Sequence, residues 1–109
     1  MSIKRTILQI IPLQNLPGWE SRLVLLEYPP STKAPLHRHP VAATGFVLEG
    51  EVLSQWEGGE IERYSTGDSF IDHGLTLHVR SENLSNDKPL KLLCNYVIQT
   101  GQANVYQDS

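Results

Sequence analysis

The chain has 109 residues, room for one domain with one core, and its 39% apolar and 19% charged residues match an ordinary globular domain. Nine Lys and Arg against twelve Asp and Glu leave a net charge of −3. The cations, among them Lys4, Arg5, Arg22, Arg38, Lys88 and Lys91, are scattered, so no basic stripe exists to neutralise phosphates, and no run approaches the roughly 20 apolar residues of a membrane span. Nucleic acid and membrane are therefore not expected partners.

In chain order, "MSIKRTILQIIPLQNLPG" starts basic and apolar, but Gln9, Pro12 and Gln14 interrupt the run and no small-residue cleavage site follows. A signal peptide is not expected. Cys94 is the only cysteine, which excludes an intrachain disulfide and points to the reducing cytoplasm. The Asn83-Leu84-Ser85 sequon carries no meaning there.

"RLVLLEY" (22–28) reads as a strand closed by Pro29-Pro30. "TGFVLEG" (44–50) reads as another, and "EVLSQWEGGEIERY" (51–64) as a hairpin turning at Gly58-Gly59, with Trp56 and Ile61 packed across it. Gly67-Asp68 marks a turn, and "SFID" and "LTLHV" surround Gly74. "LKLLCNYVI" (90–98) puts Leu90, Leu92, Cys94, Tyr96 and Ile98 on one apolar face. Cys94 then reads as a small buried hydrophobe, while Glu49 and Glu51 read as turn charges. No window holds a helical period, and short strands separated by turns predict an all-β sandwich or barrel. The tail "TGQANVYQDS" is left undecided between packing and disorder.

His37 and His39 stand one residue apart in "APLHRHP". On an extended chain, positions i and i+2 leave the same face about 6.6 Å apart, so two imidazoles can converge on one ion while Arg38 points away. The other two histidines, His73 and His78, lie in "GDSFIDHGLTLH". Three imidazoles suit borderline divalent ions.

At these residues the sequence resembles a small single-domain cupin, over about residues 22–98. The first cupin motif, G-x5-H-x-H-x(3,4)-E-x6-G, is matched by His37, His39 and Gly50 in "HRHPVAATGFVLEG". The second, G-x5-P-x-G-x2-H-x3-N, is matched by Gly67 and His78, with Gly74 and Asn83 one place off. The resemblance implies a double-stranded β-helix (jelly-roll) barrel over one domain, 1–109. Residues 22–98 would form its core, 1–21 an N-terminal strand or arm, and 99–109 a tail. It also implies a divalent ion (Fe, Mn, Zn, Ni or Cu) held by His37, His39 and His78. Ala43 occupies the place of the usual glutamate ligand and cannot coordinate, and His73 replaces the motif-two proline.

His73 is a candidate fourth ligand, and Asp72 and His73 are the candidate catalytic residues. Asp72 could complete a histidine–carboxylate set, with Gln55 a lesser candidate. Phe46, Tyr64, Phe70 and Tyr96 are candidates to line a substrate site, and Leu48 and Leu77 to line or fill the barrel. Three functions follow: a metal-dependent enzyme (dioxygenase-, isomerase- or decarboxylase-like) acting on a small oxygen-bearing molecule; a non-catalytic module that binds metal or a small ligand as a sensor or store; and a metal-free sugar-type isomerase using His37 or His39 as base. The resemblance further implies a homodimer, for which "TILQIIPL" could supply a strand.

Overall fold

The computed structural model describes residues 2–107, and side chains over 2–105. Every regular element in it is a strand: β1 (Lys4–Pro12), β2 (Trp19–Tyr28), β3 (His37–Arg38), β4 (Ala43–Glu49), β5 (Glu51–Trp56), β6 (Glu62–Ser65), β7 (Ser69–Asp72), β8 (His78–Asn83), β9 (Leu90–Gln99) and β10 (Tyr106–Gln107). They form two five-stranded sheets, ordered β1-β2-β9-β4-β7 and β10-β3-β8-β5-β6. Apart from the β1/β2 and β5/β6 hairpins, consecutive strands cross between sheets, the jelly-roll arrangement of an all-β double-stranded β-helix.

Alternation builds the core. Along β2 every even residue from Glu20 to Tyr28 is buried, and along β9 every even residue from Leu90 to Ile98. The ladder sets Val24 opposite Cys94, Leu26 opposite Leu92 and Tyr28 opposite Leu90. Directly opposed side chains share a face, so the apolar layer extends to Val47, opposite Leu92 on the neighbouring β4, and meets Val52 of the other sheet. Cys94 is buried there, while Glu49 and Glu51 are exposed.

Two glycines are required by geometry. Gly50 joins β4 to β5 at φ +93°, and a Cβ there would come within 2.9 Å of the Pro89 carbonyl oxygen. At Gly45 a Cβ would sit 2.2 Å from the Phe70 ring, so the missing side chain lets Phe70 lie flat on β4. Asn83, the residue of the sequon, is a buried clamp: its amide donates to the carbonyls of Tyr28, Pro29 and Lys88.

The tail packs as far as it is described. Arg22, buried and paired with Glu20 at 2.8 Å, donates to the Gln102 carbonyl and to Asn104 Oδ1. β10 pairs with β3 beside the histidines. The expected Trp56–Ile61 contact is not formed. The hairpin ladder runs Glu51↔Ser65 to Ser54↔Glu62, so Ile61 falls in an exposed turn and Trp56 packs instead against His78.

Candidate metal centre

His37 stands on β3 directly opposite His78 on β8. His39 follows past the end of β3, where a bridge to Gly74 and a 2.8 Å bond from Leu75 N to its carbonyl fix the backbone. All three imidazoles are buried, and one nitrogen from each lies within 4.8 Å of the others.

Hydrogen bonds decide which nitrogens face inward. His37 Nδ1 donates to the Pro35 carbonyl at 2.7 Å and His39 Nδ1 to the Asn104 carbonyl at 2.9 Å, leaving Nε2 of each as the lone-pair donor. His78 is turned the other way: Nε2 meets Ser54 Oγ at 2.7 Å, and Nδ1 approaches His37 Nε2 at 3.3 Å. Trp56 stacks on the His78 ring, 3.8 Å between centroids and 6° from parallel. That flat contact leaves the ring little freedom to rotate.

Burial holds the set neutral. It lowers the pKa of His37 and His39, although the carbonyl bonded to each ring opposes the shift, and it lowers that of His78 to about 3, aided by the neighbouring imidazoles. Neutral imidazoles are the form that binds metal. Nitrogens sharing one tetrahedral ion at about 2.0–2.1 Å would stand about 3.4 Å apart, so a closure of no more than about 1.4 Å would bring the three together. The donor set fits a divalent ion.

The carboxylate missing at Ala43 stands on the adjacent strand. Ala43 is buried and lies opposite Asp72 in the β4/β7 ladder. Directly opposed residues hold their Cβ atoms about 4.5–5.5 Å apart on one face, so Asp72 enters the barrel beside the place a longer side chain at 43 would fill. Its Oδ2 lies 3.5 Å from His39 Nε2 and accepts a 3.8 Å bond from Cys94 Sγ. Burial raises its pKa to about 6, against the opposing influence of His37 and the Cys94 bond.

Strand parity sets where the other candidate residues stand. Since Asp72 faces in, His73 faces out, exposed and edge-on to Trp56 at 5.1 Å; it stands apart from the three clustered imidazoles. On β4 the odd residues face in, so Phe46 and Leu48 point outward, 42% and 40% exposed. Gln55 likewise leaves the inner face and bonds the Gly59 carbonyl, while Ser54 holds the inward position. Tyr96 is sealed in the core behind His39, 5.6 Å between ring centroids. Tyr64 and Phe70 do line the cavity, with rings 5.7 Å apart, and they also border an outer groove of about 490 Å³. Water-sized free space inside is about 20 Å³.

Arg5, Ser54 and the Asn104 carbonyl are site features the residue pattern did not single out. A serine and a main-chain carbonyl carry no sequence signal. Arg5 is identifiable only once β1 is placed beside β2.

A family model described as the cupin domain matches residues 24–96. Among solved structures, the fold resembles an uncharacterised conserved protein with a double-stranded β-helix domain from Klebsiella pneumoniae (19% identity, TM-score 0.70, 98% of this chain and 84% of that one). It also resembles a cupin-like protein from Thermotoga maritima (14% identity, TM-score 0.72, 98% and 76%). A third likeness is to the DMSP lyase DddQ from Ruegeria pomeroyi (21% identity, TM-score 0.66), of which this chain, over 80% of its length, covers only 42%. At these identities the likeness is one of fold. No curated protein matches the sequence.

Proposed function

The chain belongs to the cupin family, and from that premise we propose that it is a metal-dependent enzyme acting on a small oxygen-bearing molecule held in the barrel. The observation that carries this reading is the convergence of three buried, neutral imidazoles beside a buried carboxylate whose pKa lies near 6. A divalent ion, one of Fe, Mn, Zn, Ni or Cu, bound by His37, His39 and His78, supplies Lewis-acid polarisation of a carbonyl or enolate oxygen.

The chain's own groups do the rest. The Pro35 and Asn104 carbonyls hold His37 and His39 in the tautomers that leave Nε2 free to ligate, and Ser54 orients the His78 ring. Asp72 holds and returns the proton from its buried place beside His39. Tyr64 and Phe70 narrow the entrance and exclude bulk water. Dioxygenase, isomerase and decarboxylase chemistry all use such a site. Oxygen uptake and product analysis on metal-loaded protein, with enediols, β-diketones and flavonols, test the proposal. Turnover of one class is expected. Firm metal binding with no turnover of any would transfer the chain to the second reading, a non-catalytic metal- or ligand-binding module, which the 20 Å³ inner space favours.

Ser54→Ala isolates the part played by the orientation of the His78 ring. It removes the partner of His78 Nε2 and touches no proposed ligand atom, so metal affinity is expected to fall about 10–100-fold with the fold intact. Competition against a chromogenic chelator reads this directly, and an unchanged affinity would remove Ser54 from the account.

A homodimer is proposed with it. β1 is an outer edge strand whose Ile7, Leu8, Ile10 and Ile11 are each about half exposed, an aggregation liability unless covered. Light scattering behind size exclusion is expected to give twice the chain mass, and Ile7→Ser with Ile11→Ser to shift it toward one. A monomeric wild type would exclude this dimer.

A further inference from the structure

Arg5 occupies a position that an edge-strand cation does not ordinarily take. In the β1/β2 ladder it stands opposite Leu26, and Leu26 is buried and lines the barrel cavity. Opposed side chains leave the same face, so Arg5 reaches inward, as does Ile3, which packs against the core two residues earlier. A register shift between Ile7 and Gln9 then reverses the strand: Gln9 and Ile11 share the outer face with Leu23 and Ser21. A bulge of this kind re-aims side chains, and here it gives the inner face to the odd residues only as far as Ile7, beyond which Ile10 and Pro12 stand opposite buried Arg22 and Glu20.

At the cavity mouth Arg5 is the lone cation among the lining residues, together with His37, His39, Asp72 and His78. Its own residue surface is exposed. Among the described residues its guanidinium has no hydrogen-bond or ion-pair partner, whereas that of Arg22 is bound to Glu20 and that of Arg80 to Glu82. The one carboxylate lining the cavity, Asp72, is already engaged by His39 and Cys94. The charge of Arg5 nevertheless acts well inside the barrel, on Tyr28, His37, His39 and Asp72. The guanidinium therefore presents a planar fork of donors, unspent, over a site otherwise lined by neutral groups and one buried acid. That fork matches a carboxylate in two parallel hydrogen bonds.

We propose that Arg5 is the specificity-determining residue of this site and that the molecule it admits is a small carboxylate, held by its anionic end at Arg5. This deepens the functional reading above and rests on the barrel cavity being the ligand site.

The test uses full-length protein, metal-free and zinc-loaded, titrated with glycolate and with its neutral analogue ethylene glycol, followed by NMR shifts of the histidine rings and by calorimetry. Wild type is expected to bind glycolate at least about tenfold more tightly than ethylene glycol. Arg5→Gln is expected to abolish that preference without changing zinc affinity, and Arg5→Lys to keep part of it, since an ammonium is a charge without the fork. Lys4→Gln, at the neighbouring position opposite Glu27 and on the other face, is expected to change nothing. A preference that survives Arg5→Gln overturns the proposal, as does a wild type that does not discriminate. If the chain takes up no zinc yet shows Arg5-dependent glycolate binding, the metal reading fails while this one stands. If zinc binds and Arg5→Gln is silent, the reverse holds.

Discussion

Replacing His78 by alanine is expected to lower metal affinity by at least about 100-fold, since a nitrogen donor in contact with the ion is removed and second-shell losses alone reach that range. His78 is the decisive position because it comes from a segment 39 residues after His39 and on a different strand from His37. A site built only from the "HRH" pair would not depend on it. The variant also leaves the flat face of Trp56 without its stacking partner, so a loss of stability is expected alongside. Circular dichroism separates the two effects: a folded variant that still binds metal as the wild type does would remove His78 from the ligand set.

The second large effect concerns Asp72 and is cleanest in metal-free protein. Its folded pKa is raised from 3.8 to about 6, first of all by burial. The stability attached to the protonated carboxyl is therefore fully present below about pH 4 and lost as pH rises through about 6. A shift of about two pH units corresponds to about 3 kcal/mol. Asp72→Asn, isosteric and uncharged, is expected to unfold at higher temperature than wild type above pH 6, with the advantage shrinking below pH 5. For a domain of this size, 3 kcal/mol amounts to more than about 10 °C in Tm. Equal stability across pH 4–8 would mean the carboxylate is not desolvated. In the same variant, any turnover that uses Asp72 to carry a proton is expected to fall about 10²–10⁴-fold.

The histidines act with the opposite sign. Their folded pKa values lie below the ordinary value, that of His78 at about 3. Their contribution is present above about pH 6.5 and lost as pH falls, because the unfolded chain takes up protons the folded barrel refuses. Metal release follows the same direction.

Particular residues show how far the sequence carried. The alternation of "LKLLCNYVI" gave the face of β9 residue by residue, because a sheet buried on one side enforces a period of two. The turn glycines and the two histidine-bearing segments gave the barrel, through resemblance and not through pattern alone. Parity was the quantity not legible. A motif spacing states which residues occur, not which face they take. Spacing alone therefore admits Phe46 to the interior although β4 turns its odd residues inward, and admits Gln55 where Ser54 points in. The same one-residue ambiguity separates Asp72, inside, from His73, outside. The register of β5 and β6 is set by the turn: a two-residue Gly58-Gly59 loop pairs Trp56 with Ile61, whereas the longer turn that forms ends the ladder at Ser54↔Glu62. Ala43 looked like a site short of its acid. Only the β4/β7 register reveals that a carboxylate stands directly across the ladder.

X-ray absorption at the metal edge of the loaded full-length protein tests the central claim most directly. The expected result is one ion per chain with a shell containing three imidazole nitrogens at about 2.0–2.1 Å, reduced to two in His78→Ala under forcing metal concentrations. A shell without imidazole scattering, or a wild-type spectrum unchanged by that substitution, would contradict a centre held by His37, His39 and His78.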